Sequence, residues 1–156
     1  MTLSSADSLM GLEARARATL GASSDAIYRA LLAALDARRV SGGTFVDVGC
    51  GRGDLRRSLG ARFDAYVGLD AVRYEALPAD VDFHAVDLDA PEWPAIGVRG
   101  DVVAAVETIE HLENPWAFLR ALASLTRPGG WVVVTTPNQL SGLSLLTLLL
   151  KRRFAA

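Results

Sequence analysis

Residues 46–55 read VDVGCGRGDL, and the order of residue types in this stretch decides the fold. Thr44 to Val48 are β-branched, aromatic or acidic and suit a buried strand. Gly49, Gly51 and Gly53 then alternate with Cys50 and Arg52, and apolar residues at helical spacing follow from Leu55. A strand that breaks into glycines and restarts as a helix makes the first half of a strand–helix–strand unit. The glycines tolerate positive φ and allow a ligand's close approach, while the helix start offers unpaired N–H groups.

Outward from this stretch the same alternation repeats. DAYVGLD (64–70), VDFHAVD (81–87), DVVAAVE (101–107) and WVVVTTP (131–137) read as four further strands. Between them the pattern predicts helices over 55–59, 71–77 and from Pro115 to about Thr126, where Arg127-Pro128-Gly129-Gly130 ends the last of these. A helix from Ser24 to Arg39 precedes the first strand, capped by Ser24 or Asp25 and stopped by Ser41-Gly42-Gly43. Near-continuous apolar strands imply a sheet covered on both faces, so the expected architecture is α/β, a doubly wound and mostly parallel five-stranded sheet with helices on both sides. The chain is expected to form a single domain over 1–156, with 1–21 a loose leading segment and a last helix over 141–153.

Composition narrows the function. The chain has 156 residues, 51% of them hydrophobic and 22% charged, which describes a globular protein with a substantial core. A net charge of −2 argues against a nucleic-acid partner. The single cysteine, Cys50, cannot form an internal disulfide, and no signal peptide stands at the start, so a cytoplasmic setting is expected. The apolar run 140–150 falls short of the roughly 20 residues that a membrane helix needs, so no transmembrane segment is expected.

In a doubly wound sheet, ligands bind at the carboxyl ends of the strands where the strand order reverses. That rule nominates 49–53, Asp70, Asp87, 107–111 and 136–138. The glycine spacing is G-x-G-x-G, whereas a dinucleotide fingerprint needs its third glycine where this chain has Asp54. Asp47 just before the turn and Asp54 just after it suit a ligand bearing an ammonium or sulfonium better than a pyrophosphate. Asp70, closing the second strand, is placed to accept ribose hydroxyls.

VDVGCGRGDL, GLD ending at Asp70, HAVDLDA (84–90) and the run from Asp101 to Asn138 together resemble the class I S-adenosylmethionine-dependent methyltransferases of bacterial small-molecule type. The resemblance implies transfer of a methyl group from S-adenosylmethionine to an oxygen, nitrogen or carbon of a small-molecule acceptor, leaving S-adenosylhomocysteine. It implies that Asp47, Gly49, Cys50, Gly51 and Gly53 hold the methionine end. Asp70 and Ala71 would meet the ribose and its surroundings, Asp87 and Leu88 the adenine, and Glu107, Thr108 and Ile109 the sulfonium. That family usually continues past the fifth strand to a helix and an antiparallel strand pair, which this sequence is expected to lack. The fifth strand would then be an exposed edge through which copies could associate.

ETIEHLENP (107–115) leaves alternatives open. His111 could act as a base on the acceptor, since imidazoles titrate near ~6.5. Glu107, Glu110 and His111 could instead ligate a hard metal ion, as E-x-x-E-H does in the small-RNA 3′-terminal 2′-O-methyltransferases it also resembles. No histidine follows His111, however, and that pattern requires one. The third reading has the stretch shape the cofactor wall, with Asn114 or Glu113 capping the next helix. A catalytically silent cofactor-binding module is the alternative to an enzyme.

Overall fold

The computed structural model describes residues 23–138. The readings made for 1–21 and for the helix over 141–153 lie outside them. The described elements run in the order α1 (Asp25–Ala37), β1 (Thr44–Val48), α2 (Asp54–Leu59), β2 (Ala65–Asp70), β3 (Asp82–Ala85), β4 (Gly100–Val106), α3 (Pro115–Leu125) and β5 (Thr126–Thr135), with 3₁₀ turns at Trp93–Ile96 and Ile109–His111. The strands form one sheet in the order β3-β2-β1-β4-β5, and every pair is parallel. This is the expected doubly wound α/β architecture. The order reverses between β1 and β4, which places the switch point beside the glycine turn.

Strand alternation sorts the core into two layers. Phe45, Tyr66, Val102 and Ala104 face one way and pack with Tyr28, Leu31 and Leu35 of α1 and with Leu55 and Leu59 of α2. Val46, Val48, Val67, Leu69, Val103 and Ala105 face the other way and meet Trp93 and the α3 stripe Phe118, Ala121, Leu122 and Leu125. The stripe's spacing of three, one and three residues is one face of a helix. Burying each leucine contributes about 2 kcal/mol, so α3 is held by packing and by its start. Asn114 accepts the Ala117 N–H at 3.0 Å as the N-cap, and Pro115 takes the first helical position.

Four local expectations are corrected. Ser24 occupies the N-cap position of α1 with extended backbone, but neither it nor Asp25 provides a side-chain capping bond. The helix is stopped by Arg39, not by the glycine pair. Arg39 adopts φ +55, its N–H reaches Asp36 O at 3.0 Å, and the Val40 N–H reaches Leu35 O at 3.0 Å, which is a Schellman ending. Gly42 and Gly43 serve the next element instead, donating to Arg62 O and to the Asp64 carboxylate.

Residues 71–77 form turns rather than a short helix, with Leu77 N–H on Tyr74 O at 3.0 Å. Pro78 disfavours a helical Leu77, and both residues pack directly on Gly53. Finally, Arg127-Pro128-Gly129-Gly130 does not separate α3 from β5. Thr126 already pairs with Gly100, and the next pair is Val102 with Trp131, so two steps along β4 face five along β5. The extra residues bulge out around Gly129 at φ +81. Asp101 ties the bulge down, accepting from Arg127 at 2.5 Å and from the Thr44 N–H at 2.7 Å.

Candidate functional site at the carboxyl ends of the strands

The glycine turn is built against its neighbours. Gly49 has φ +80, and a Cβ there would lie 2.4 Å from Thr108 Oγ1. Gly53 has φ +76, and a Cβ would meet Pro78 Cδ at 2.6 Å and Leu77 Cδ1 at 2.9 Å. The glycine spacing predicts close approach by a ligand. At these two positions protein contacts already forbid a side chain, and they bring β1, β4 and the turn after β2 together.

Between them, the Gly51 N–H donates to Asp70 Oδ2 at 2.8 Å, while Asp70 Oδ1 accepts the Ala71 N–H at 2.7 Å. The two N–H bonds orient the carboxylate and leave lone pairs on both oxygens for a ligand's hydroxyls. Burial pushes the Asp70 carboxyl up from its ordinary value, against the pull of the N–H groups of Gly51, Ala71 and Val72. Asp70, Ala71 and Gly51 are thus brought together as one unit. Arg52, the next residue of the turn, lines an open cleft of about 670 Å³ together with Arg73, Tyr74, Glu75 and Ala76.

Asp47 points into the otherwise apolar layer and is 2% exposed. Its carboxylate accepts the Tyr66 hydroxyl, a partner that sequence spacing did not reveal. Tyr66 in turn stacks on Phe45 and lies under the Arg56 guanidinium. Burial pushes the Asp47 carboxyl up to about 7, despite the Tyr66 hydrogen bond and with a further push from the Asp70 charge. Cys50 is buried below the turn, and burial raises its thiol well above the ordinary range, so it is no nucleophile.

At the end of β3, Asp87 Oδ1 accepts the Asp89 N–H at 3.0 Å, and Asp89 accepts the Glu113 N–H at 2.8 Å. Leu88 packs half-buried on the second core layer, as does Ile109. Glu107 follows β4 at φ +51. Its N–H and its Oε1 both bind the Thr135 hydroxyl, at 3.1 and 2.9 Å. Thr108 is buried and donates its hydroxyl to Val48 O at 3.2 Å or to Val106 O at 3.1 Å. Glu110 is raised by burial and by the Glu107 charge, against a hydrogen bond with Thr136. His111 stands exposed at the end of the 3₁₀ turn.

Among the described residues no three His, Cys, Asp or Glu side chains group as a metal site, so Glu107, Glu110 and His111 do not come together as ligands. One oxygen of the Glu107 carboxylate, Oε1, accepts the Thr135 hydroxyl. Tyr66, Asp89 and Thr135 were not singled out from the sequence. Only Thr135 left a signal there, as the neighbour of the 136–138 strand end.

A family model described as a methyltransferase domain matches residues 21–155. The chain belongs to that family. Ubiquinone biosynthesis O-methyltransferases of Bordetella bronchiseptica and Aeromonas salmonicida are each 35% identical to it over 111 residues, or 64% of this chain and 45% and 47% of theirs. This methyltransferase domain therefore spans less than half the length of those curated relatives. Among solved structures, an S-adenosylmethionine-dependent methyltransferase from Clostridium acetobutylicum has a TM-score of 0.61 at 14% identity, covering 79% of this chain and 55% of that one. An amino pentose methyltransferase from Micromonospora echinaspora, with S-adenosylmethionine bound, has 0.59 at 23% identity, covering 88% and 58%. These two share the fold. Among the described residues of the domain, no helix is long and apolar enough to cross a membrane.

Proposed function

We propose that this methyltransferase domain binds S-adenosylmethionine and transfers its methyl group to an oxygen of a small-molecule acceptor, in a cytoplasmic setting and as a single domain. The observation that carries the reading is the Asp70 carboxylate clipped to the Gly51 N–H at the switch point of the sheet. The donor set fits: Asp70 offers acceptors for ribose hydroxyls, and two buried or half-buried acids beside the turn suit a cation and repel a phosphate. The preference for oxygen over nitrogen or carbon leans on the relatives named as O-methyltransferases.

When bound, the cofactor supplies an electrophilic methyl group on a sulfonium. Asp70 and Ala71 hold the ribose side, Asp87 and Leu88 the adenine side, and the turn of Gly49, Cys50, Gly51 and Gly53 the methionine side. Asp47 lends its charge to the ammonium. Glu107, Thr108 and Ile109 wall the reacting end and exclude water from it. His111 takes the acceptor's hydroxyl proton onto an imidazole nitrogen as the oxygen gains the methyl, so charge does not accumulate on the acceptor.

Calorimetry with S-adenosylmethionine and S-adenosylhomocysteine tests this directly. Both should bind the wild-type chain, and Asp70→Ala should weaken each by roughly ten- to a hundredfold, as expected for losing charge-assisted hydrogen bonds. No binding heat with either ligand would overturn the assignment.

A further inference from the structure

Thr135 is the last residue of β5 and pairs with Val106, the last of β4. Just beyond that pair, its hydroxyl performs two tasks on one residue. The oxygen accepts the Glu107 N–H at 3.1 Å, and the hydroxyl proton goes to Glu107 Oε1 at 2.9 Å. The Thr135 carbonyl shares the same N–H at 3.2 Å. Glu107 needs such a clamp, because its φ of +51 is a left-handed conformation that a residue with a Cβ seldom holds unaided. The clamped turn continues into Thr108, whose Oγ1 stands where a Cβ on Gly49 would go. The hydroxyl on β5 is thereby linked, through one strained residue, to the glycine turn on β1.

Resting on the cofactor reading above, we propose that Thr135 is a positioning residue for the methionine half of the cofactor. It fixes the left-handed turn at Glu107 and hence the wall of Glu107, Thr108 and Ile109 beside the glycine turn. The clamp requires one group that both accepts from an N–H and donates to a carboxylate, and a hydroxyl does this. Serine keeps that group. Valine keeps the shape and loses both bonds.

The position of the clamp gives the effect a direction. Asp70, Ala71, Asp87 and Leu88 stand on β2, β3 and the segments that follow them, and make none of the Thr135 hydrogen bonds. Loosening Glu107 therefore acts on the part of the ligand beside β4 and leaves the adenosine part alone.

The test is calorimetric binding of S-adenosylhomocysteine and of 5′-methylthioadenosine, which lacks the amino-acid portion, to wild type, Thr135→Val and Thr135→Ser. Thr135→Val should weaken S-adenosylhomocysteine by roughly tenfold while 5′-methylthioadenosine stays within about twofold, and Thr135→Ser should match wild type for both. Equal weakening of both ligands, weakening of neither, or a serine variant as poor as valine would each overturn the proposal. If Thr135→Val gives no cooperative melt, Thr135→Ala takes its place with the same supporting and refuting outcomes. A wild-type chain that binds neither ligand refutes the cofactor reading itself. A wild-type chain that binds both, with Thr135→Val unchanged, refutes only the role of Thr135.

Discussion

Replacing Asp47 by asparagine should abolish a pH dependence that the wild-type fold carries in its core. Asp47 is held at about 7 by burial, against an ordinary carboxyl value of 3.8. Because its folded value is raised, the folded state binds this proton more tightly than the unfolded chain does. The stabilisation is complete below pH 3.8 and is lost as pH climbs through about 7. At about 1.4 kcal/mol per tenfold change in proton affinity, the full effect is about 4 kcal/mol, of which about 3 kcal/mol falls between pH 5 and 8.5. Asparagine still accepts the Tyr66 hydroxyl through Oδ1 but carries no charge to bury.

Urea unfolding of both proteins from pH 5 to 8.5 gives the measurement. Asp70 is held above and Asp101 below the ordinary carboxyl value in both proteins, so the difference between the two curves reports Asp47 together with its coupling to Asp70. That difference should grow in favour of the asparagine variant by about 3 kcal/mol as pH rises. Parallel curves would refute the reasoning. The same proton offers a link to the ligand, because an ammonium beside Asp47 favours its ionised form. Binding of S-adenosylmethionine near pH 7 should then release a proton, seen as a dependence of binding heat on the ionisation enthalpy of the buffer, and Asp47→Asn should remove that dependence.

Two further predictions concern the scaffold around the site. Gly49→Ala places a Cβ 2.4 Å from Thr108 Oγ1 at φ +80, so it should lower unfolding free energy by roughly 2–4 kcal/mol in chemical denaturation and weaken S-adenosylhomocysteine as well. Asn114→Ala removes the cap on the Ala117 N–H and should cost about 1 kcal/mol in the same assay, while Asn114→Ser restores most of it.

The sheet was legible because its signals are local. The apolar runs of β1, β2 and β4 flank glycines and acids at fixed offsets, and Pro115 marks the start of α3 without help from other elements. Departures arose where two distant segments decide the outcome. Residues 71–77 carry a helix-like composition, but Gly53 packs directly on Leu77 and Pro78, and that contact favours turns. The early start of β5 depends on Thr126 meeting Gly100 across the sheet, and Pro-Gly-Gly, read locally, only signals a break.

The site divides in the same way. Asp70 was found by its distance from the glycine turn, a spacing that the strand–helix–strand unit imposes. The partnership of Asp47 with Tyr66 depends on parallel register across β1 and β2, which no spacing in one strand encodes. The Thr135 clamp joins residues 28 apart and becomes visible only when β4 and β5 are laid side by side. His111 and the carboxylates near it looked like a compact ligand set in one dimension, yet the left-handed turn at Glu107 gives that carboxylate to Thr135.

Cys50 carries a practical consequence. It is the chain's one cysteine, it is buried, and its Sγ lies 2.9 Å from where a Cβ on Gly68 would stand. Alkylating reagents need an accessible thiolate, and this sulfur offers neither access nor charge. The native chain therefore needs no cysteine removal before site-specific labelling. A single cysteine introduced at an exposed position such as Arg52 would carry a fluorophore alone, in the turn next to Gly51 and on the wall of the open cleft, and report on ligand arrival by its emission.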